Sequence, residues 1–229
     1  MGDFFYRALQ PVFSLFWPCK LLGRENIPAR GPAVFVSNHL GSYAPVATLA
    51  HFPVRLYPWV EHQTTNWKLC PEYLRHDFVE QELHLRPPLS RLVAWSISKA
   101  CVVLMKLIQA IPVYDRTMRM AATWKRSLKH LQQGRWLAVF PENDAAPWND
   151  VIHRFDQGFV GLGPLYYEKT GQRLSFSPVA VHKTARAIKI GPPIAYDPTN
   201  PFSTERERIT GDLQNRITEM FFMLGSSPA

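Results

Sequence analysis

The chain contains the stretch Ala33-Val34-Phe35-Val36-Ser37-Asn38-His39. Its first five residues form a brief apolar run that suits a buried strand, and the polar pair Asn38-His39 follows directly. The run follows Gly31-Pro32, is of strand length and is short for a helix. A polar side chain that follows such a strand is held at a rigid edge, from which it can project into a cleft. The stretch therefore predicts a strand that presents His39 to a candidate site.

Strand-like and helix-like segments alternate along the rest of the chain. The predicted helices cover 89–109, 117–133, 158–169 and 203–223, and the predicted strands cover 136–140, 174–181 and 187–190. This alternation predicts an α/β fold, a single domain with a mixed central β-sheet flanked by helices. The segment at about 53–88 is rich in aromatic, proline and charged residues with poor periodicity, and we predict an irregular insertion there.

Residues 1–18 are predicted to form an N-terminal amphipathic helix that associates with a membrane. They are rich in Phe, Trp and Leu, are interrupted by Arg7, Gln10 and Pro11, and end at Pro18. Aromatic side chains beside a basic chain suit the headgroup boundary of a bilayer. The alternative is a helix that packs on its own domain, and residues 19–229 would form that domain.

The charge and cysteine content narrow the possible partners and compartments. The chain has 26 Lys and Arg against 18 Asp and Glu, a formal net charge of +8, which favours a phosphate-bearing ligand, an acidic lipid surface or nucleic acid. The basic residues are dispersed and match no nucleic-acid-binding signature, so we expect no nucleic-acid partner. Three widely spaced cysteines without metal-like pairing indicate reduced thiols in the cytoplasm and no metal site. Neither a secretory signal nor an apolar run of about 18 residues is present.

Four segments, taken together, carry a family resemblance. They are Asn38-His39, Ile111-Pro112-Val113-Tyr114-Asp115-Arg116, Phe140-Pro141-Glu142-Asn143 and Ser177-Pro178-Val179-Ala180-Val181. In that order and at that spacing the set resembles the four sequence blocks of the glycerolipid (lysophosphatidic acid) acyltransferase family. The resemblance covers about residues 20–195, and the segments Phe155-Asp156-Gln157-Gly158 and Ile190-Gly191-Pro192-Pro193-Ile194 add to it.

The resemblance implies a reaction and its partners. It implies an acyltransferase-like domain that moves a fatty acyl group from acyl-CoA or acyl-carrier protein to a hydroxyl of a lysophospholipid or related acceptor. His39 would be the general base, because an imidazole with a pKa near ~6.5 is largely neutral at cytoplasmic pH and can accept a proton. No cofactor is expected beyond the thioester co-substrate. The expected location is the cytoplasm, peripheral on the inner face of the membrane.

The resemblance also assigns roles to several residues. Arg116 matches the phosphate-binding arginine, whose planar fork can engage two phosphate oxygens. Glu142 matches the glutamate of the third block, in the acceptor site, and Pro178 and Val179 match the apolar wall beside the donor. The remaining predicted substrate-binding residues are the neighbours Asn38, Ser42 and Asn143.

The chain departs from the family pattern at the position that should support the catalytic histidine. Ala44 stands where the family has an aspartate, and Ser42, Tyr43, Asp77 and Asp144 are all candidates to replace it. In a serine-protease triad, neutralising the equivalent aspartate costs about 10⁴ in turnover. The alternative function is therefore a catalytically impaired relative that binds lipid or a membrane.

The third block departs as well. The chain has Asn143-Asp144-Ala145-Ala146 where the family usually has Gly-Thr-Arg-Ser, so negative charge lies where a phosphate is expected. This favours an acceptor that lacks a phosphate at that point. A third hypothesis is a hydrolase that passes the acyl group to water, although the Gly-x-Ser-x-Gly motif of serine hydrolases is absent.

Overall fold

The computed structural model describes residues 2–114, 117–147, 149 and 151–226. In this part of the chain the α-helices are Gly2–Phe16 (α1), Tyr43–His51 (α2), Cys70–Leu74 (α3), Leu89–Leu107 (α4), Thr117–Gln132 (α5), Leu162–Thr170 (α6) and Phe202–Ser226 (α7). The strands are Lys20–Leu22 (β1), Ala33–Ser37 (β2), Leu56–Glu61 (β3), Ile111–Val113 (β4), Trp136–Val139 (β5), Glu142–Pro147 (β6), His153–Phe155 (β7), Ser175–His182 (β8), Ala187–Ile190 (β9) and Ile194–Ala195 (β10). A π-helical segment, Arg75–Glu80, follows α3.

Within the described residues, eight strands form one central sheet in the order β1-β9-β8-β2-β5-β3-β4, with β10 beside β8. β8 pairs antiparallel with β9 and β10, and the other pairs in this sheet are parallel. β6 and β7 form a separate antiparallel hairpin. The mixed sheet flanked by helices confirms the predicted α/β fold, and β2 is buried along its whole length at the centre.

The helices cover both faces of the sheet and enclose two apolar clusters. The larger cluster packs β-strands against α5, α6 and α7, and α7 contributes Ile209, Leu213, Ile217 and Leu224 at four- and seven-residue spacing. The smaller cluster lies on the α2 side and contains an edge-to-face pair of Phe35 and Phe52. The result is a helix–sheet–helix sandwich that holds the strand ends rigidly.

The segment 53–88 differs from the predicted irregular insertion. It begins with β3, which lies inside the central sheet between β5 and β4. Pro58 is part of this strand and is paired with Ala138. Proline is usually confined to edge strands, so its presence in the sequence conceals an interior strand. Most of the remaining segment folds as short helical turns against α4 rather than as an extended loop.

Helix α1 packs on the domain along one side and exposes apolar residues along another. The Tyr6 hydroxyl and the Gln10 amide both donate to the carbonyl of Leu49 near the end of α2, a group that helix ends leave without an intrahelical partner. Leu15 and Phe16 are 77% and 69% exposed. Packing on the domain therefore describes the side with Tyr6 and Gln10, and the exposed Leu15 and Phe16 are compatible with membrane association. None of the described helices has the length and apolar character needed to cross a bilayer.

Candidate active site

The candidate site lies where several parallel strands end. β2, β3, β4 and β5 are parallel neighbours, so their carboxyl ends share one edge of the sheet. His39 follows β2, Glu61 ends β3, Tyr114 follows β4 and Phe140 follows β5, and all four border one cavity. Open α/β sheets bind ligands at this edge because the strand ends deliver side chains from several segments to one place.

The imidazole of His39 stands in this groove and is exposed to solvent. It meets the Phe140 ring edge-on, with ring centroids 6.1 Å apart. Its backbone N–H donates to Oε1 of Glu142. The structure thus places the predicted base at an accessible position, with its backbone anchored and its ring packed against one wall.

Glu142 holds the His39 loop in place. Its side chain is 2% exposed. Oε1 accepts the backbone N–H of His39, and Oε2 accepts the backbone N–H of His153 over 2.8 Å. The His153 ring nitrogen Nδ1 lies 3.3 Å from the same oxygen. Both carboxylate oxygens are therefore engaged, and Glu142 organises neighbouring donors around the groove.

Asn38 serves the fold rather than the groove. Its side chain is fully buried. Its Nδ2 donates to the carbonyl of Val181 over 3.0 Å, and its Oδ1 accepts the N–H of Val181 over 2.8 Å. This pair of bonds ties the end of β2 to β8. The predicted substrate-binding role of Asn38 has no support in this geometry, because the amide is used inside the protein.

Ser42 borders the cavity and receives a carboxylate that sequence reasoning missed. Oε1 of Glu82 accepts the backbone N–H of Ser42 over 2.8 Å, and Oε2 accepts its hydroxyl over 2.7 Å. Ser42 precedes α2, where a negative charge is favourable beside the unpaired N–H groups of a helix start. Two glutamates, Glu82 and Glu142, therefore hold the His39–Ser42 loop from different segments. No local signal marks Glu82, because the contact joins residues 40 positions apart.

The residues considered as replacements for the missing aspartate have different surroundings. Ala44 itself is fully buried in the apolar cluster beside α2. The Tyr43 hydroxyl lies 3.3 Å from Cys19 Sγ, and burial raises the pKa of this phenol. Asp77 borders the cavity, where it is hydrogen-bonded to Tyr73, whose pKa is raised by burial and by that carboxylate. The side chain of Asp144 lies outside the described residues.

Of the other predicted site residues, Asn143, Pro178 and Val179 lie in the described part of the chain, and none of these three borders the cavity. Arg116 lies outside the described residues. The Asn143 amide donates to Oδ1 of Asp156 over 3.2 Å, which joins β6 to the segment after β7. Pro178 and Val179 are buried within β8, where they pair with the end of β2. They support the sheet beneath His39, and the cavity is bordered by other apolar residues.

A cavity of about 980 Å³ extends from the strand ends along α2. Ser42, which immediately precedes α2, and Val46, Leu49 and Ala50 within the helix border the cavity, and their spacing places them on one face of the helix. At 1.5 Å per residue this face is about 12 Å long. Phe13 of α1 also borders it, as do Leu104, Met105 and Ile108 at the end of α4. The groove at His39 therefore opens onto a long, mainly apolar cavity, the usual character of a pocket for a small organic ligand.

The described residues contain no group of three His, Cys, Asp or Glu side chains that could hold a metal ion. The groove offers an exposed imidazole on a loop that Glu82 and Glu142 hold, further carboxylates from Glu61 and Asp77, and a mainly apolar chamber. Such a set can accept a proton from an entering hydroxyl and accommodate an alkyl chain beside it.

The fold is a single α/β domain with a mixed central sheet, and its groove lies at the carboxyl ends of the parallel strands. The chain is similar to the crystal structure of the 1-acyl-sn-glycerophosphate (LPA) acyltransferase PlsC from Thermotoga maritima, with a TM-score of 0.56 over 99% of this chain and 82% of that one. Sequence identity between the two is 13%, so the likeness establishes the fold alone. Neither a family model nor a curated protein sequence matches the chain.

Proposed function

We propose that the chain is an acyltransferase that moves a fatty acyl group from a thioester to a hydroxyl, with His39 as the general base. The observation that carries the proposal is the exposed His39 ring at the mouth of the apolar cavity along α2. The similarity of the fold to that of an LPA acyltransferase supports the same reaction class. A reaction at a fatty acyl carbonyl requires a general base next to an apolar cavity that is long enough for the acyl chain.

In the proposed reaction the acceptor hydroxyl gives its proton to the His39 imidazole while its oxygen attacks the thioester carbonyl carbon. The new C–O bond forms, the C–S bond then breaks, and the thiolate leaves with the electron pair. The imidazolium returns the proton to the thiolate, so the base is regenerated and no covalent enzyme intermediate is needed. General base catalysis of this kind contributes about 10²- to 10⁴-fold.

The donor is proposed to be acyl-CoA or acyl-carrier protein, and the acceptor a lysophospholipid or a related hydroxyl compound. The acyl chain would lie along α2, where Val46 and Leu49 offer an apolar surface. By the family resemblance Arg116 would bind a phosphate oxygen pair. Asp144 follows the third block, and its charge favours an acceptor without a phosphate at that point.

The proposed reaction takes place at the inner face of a membrane, to which the protein binds peripherally from the cytoplasm. Helix α1 supports this through Val12, Leu15 and Phe16, each more than half exposed. An acyl acceptor that resides in a bilayer would be within reach of a chain attached in this way.

Thiol release from acyl-CoA, measured over a panel of lysophospholipid, polyol and sugar acceptors, tests the proposal. His39→Ala should fall below about one hundredth of the parent rate, since the general base is lost. His76→Ala is the matched control, because His76 is exposed on the π-helical segment and pairs with Glu72; it should keep the parent rate. Equal rates for the parent and His39→Ala would overturn the proposal.

A catalytically impaired relative that binds lipid or a membrane is the second candidate. The buried Ala44 favours it, because a methyl group in an apolar cluster cannot orient or charge-stabilise His39. This candidate predicts that a fatty acyl-CoA binds the cavity by calorimetry but that no acceptor in the panel increases thiol release. Acceptor-dependent turnover would exclude it.

A further inference from the structure

The outward side of α4 carries a stripe of apolar and basic residues. Leu92, Trp95, Lys99, Val103 and Lys106 are three or four positions apart, which places them on one side of the helix. The side chains of Leu92, Trp95 and Val103 are 62%, 56% and 45% exposed, and both lysines are exposed. Trp67 and Leu69, in the segment before α3, are 49% and 41% exposed. These seven residues are called the α4 face below.

The other sides of α4 already anchor the helix to the domain. Ser90, Ala94, Ser98 and Val102 are buried, and Leu104, Met105 and Ile108 border the cavity. The fold therefore uses the inner side of α4 and leaves the α4 face in solvent. Clustered exposed apolar side chains of this kind mark interaction surfaces in soluble domains.

The two lysines of the α4 face lie over its two tryptophans. Nζ of Lys99 is 4.4 Å from the Trp95 ring centroid, and Nζ of Lys106 is 4.7 Å from that of Trp67. Tryptophan favours a boundary that is apolar on one side and wet on the other. A lysine whose alkyl chain packs along a tryptophan ring can place its ammonium group among lipid phosphates while the alkyl chain and the ring stay in the apolar layer beneath them.

The charged side chains of the α4 face itself are both basic. Helix α4 contains Arg91, Lys99 and Lys106 and no acidic residue, and Lys68 precedes α3. The acidic groups in the adjacent helical segments have partners of their own: Glu72 and Glu80 pair with Arg75, Glu80 also accepts the hydroxyl of Ser90 on the buried side of α4, and Asp77 is hydrogen-bonded to Tyr73. The surface is therefore complementary to an anionic partner that is also apolar beneath its charged layer.

We infer that the α4 face is a docking surface for a bilayer that contains anionic lipid. Aliphatic side chains beside tryptophan-supported lysines match the headgroup boundary, in which phosphate lies above hydrocarbon. Docking by this face would bring the bilayer against the helix that walls the cavity. The inference deepens the membrane association of the proposed function and is independent of the chemistry at His39.

Co-sedimentation with phosphatidylcholine vesicles, with and without phosphatidylglycerol, tests the inference. The parent should bind the phosphatidylglycerol vesicles more tightly. Lys99→Gln with Lys106→Gln should weaken that binding about 30-fold, from about 1 kcal/mol for each lysine at the surface. Leu92→Ser with Trp95→Ser should weaken binding to both vesicle types. Lys125→Gln with Lys129→Gln, exposed on α5, is the matched control and should bind nearly as the parent does.

Three results would overturn the inference. The first is equal binding of the parent to both vesicle types, and the second is loss of binding only when residues 1–18 are deleted, with the α4 variants unchanged. The third is an equal loss in the α5 control, which would indicate general attraction of a basic protein. His39→Ala should keep full vesicle binding, so this assay and the turnover assay fail separately. A thermal unfolding midpoint equal to that of the parent verifies that each variant is folded.

Discussion

Glu142→Gln is the substitution that most directly tests how the His39 loop is held. The Glu142 carboxylate is 2% exposed and accepts the backbone N–H groups of both His39 and His153. Each hydrogen bond to a charged group contributes about 1.5–3 kcal/mol. A glutamine has one carbonyl oxygen, so one N–H keeps an acceptor while the other faces an NH₂ group. We expect the free energy of unfolding to fall by about 2–3 kcal/mol.

The same substitution should slow turnover, because the loop that carries His39 loses one of its anchors. Misplacement of a reacting group by about 1 Å can cost about 10²-fold, so we expect a 10- to 100-fold loss. Urea unfolding gives the stability change, and thiol release from acyl-CoA gives the rate.

Glu168→Gln is the control for this experiment, since the Glu168 side chain is 68% exposed and pairs with its neighbour Lys169. It should change stability by less than about 0.5 kcal/mol. A Glu142→Gln variant that matches this control in both stability and rate would refute the anchoring role of Glu142.

Other substitutions test the remaining parts of the structure. Asn38→Ala should lower the free energy of unfolding by about 2–4 kcal/mol in urea, because the buried N–H and carbonyl of Val181 both lose a partner; a loss under about 1 kcal/mol would contradict this. Hydrogen bonds from Arg208 lower the pKa of the buried Glu205 carboxyl from 4.5 to about 2. The stabilising contribution of this carboxylate is therefore complete above pH 4.5 and is lost as the pH falls towards 2. Over that window the free energy of unfolding of the parent should fall by about 3 kcal/mol more than that of Glu205→Gln, as measured by acid titrations of unfolding. Parallel curves for the two chains would contradict this. Ala44→Asp restores the residue of the family pattern but introduces a carboxylate into an apolar cluster, so it should destabilise the chain by about 3 kcal/mol or more without raising turnover. The control Ala121→Asp, at an exposed position, should be nearly neutral. A faster and equally stable Ala44→Asp enzyme would refute the placement of Ala44 in a closed apolar cluster.

The parts of the fold with strong local signals could be predicted from the sequence. β2 is apolar on both faces, and its apolar run alone indicates a buried strand that ends at His39. α5 and α7 have helical periodicity. β3 could not be found in this way, because Pro58 and the aromatic residues around it conceal an interior strand whose stability comes from its neighbours in the sheet.

The residues of the candidate site likewise fall into those that local sequence predicts and those that depend on distant contacts. The position of His39 follows from the strand before it, so the sequence could place it. The roles of Asn38 and Glu82 depend on contacts with distant segments, Val181 in one case and Ser42 in the other. Residue type and spacing carry no information about such contacts. For this reason the sequence suggests a substrate-binding role for Asn38 and gives no sign of Glu82.

The most direct test of His39 as an acyl-transfer base is the identity and amount of product formed from a labelled acyl-CoA and a lysophospholipid, measured by mass spectrometry. The parent should produce the acylated acceptor rather than free fatty acid, and His39→Gln should produce less than about one hundredth as much. Equal yields of acylated acceptor from the two chains, or free fatty acid as the main product of the parent, would contradict the account.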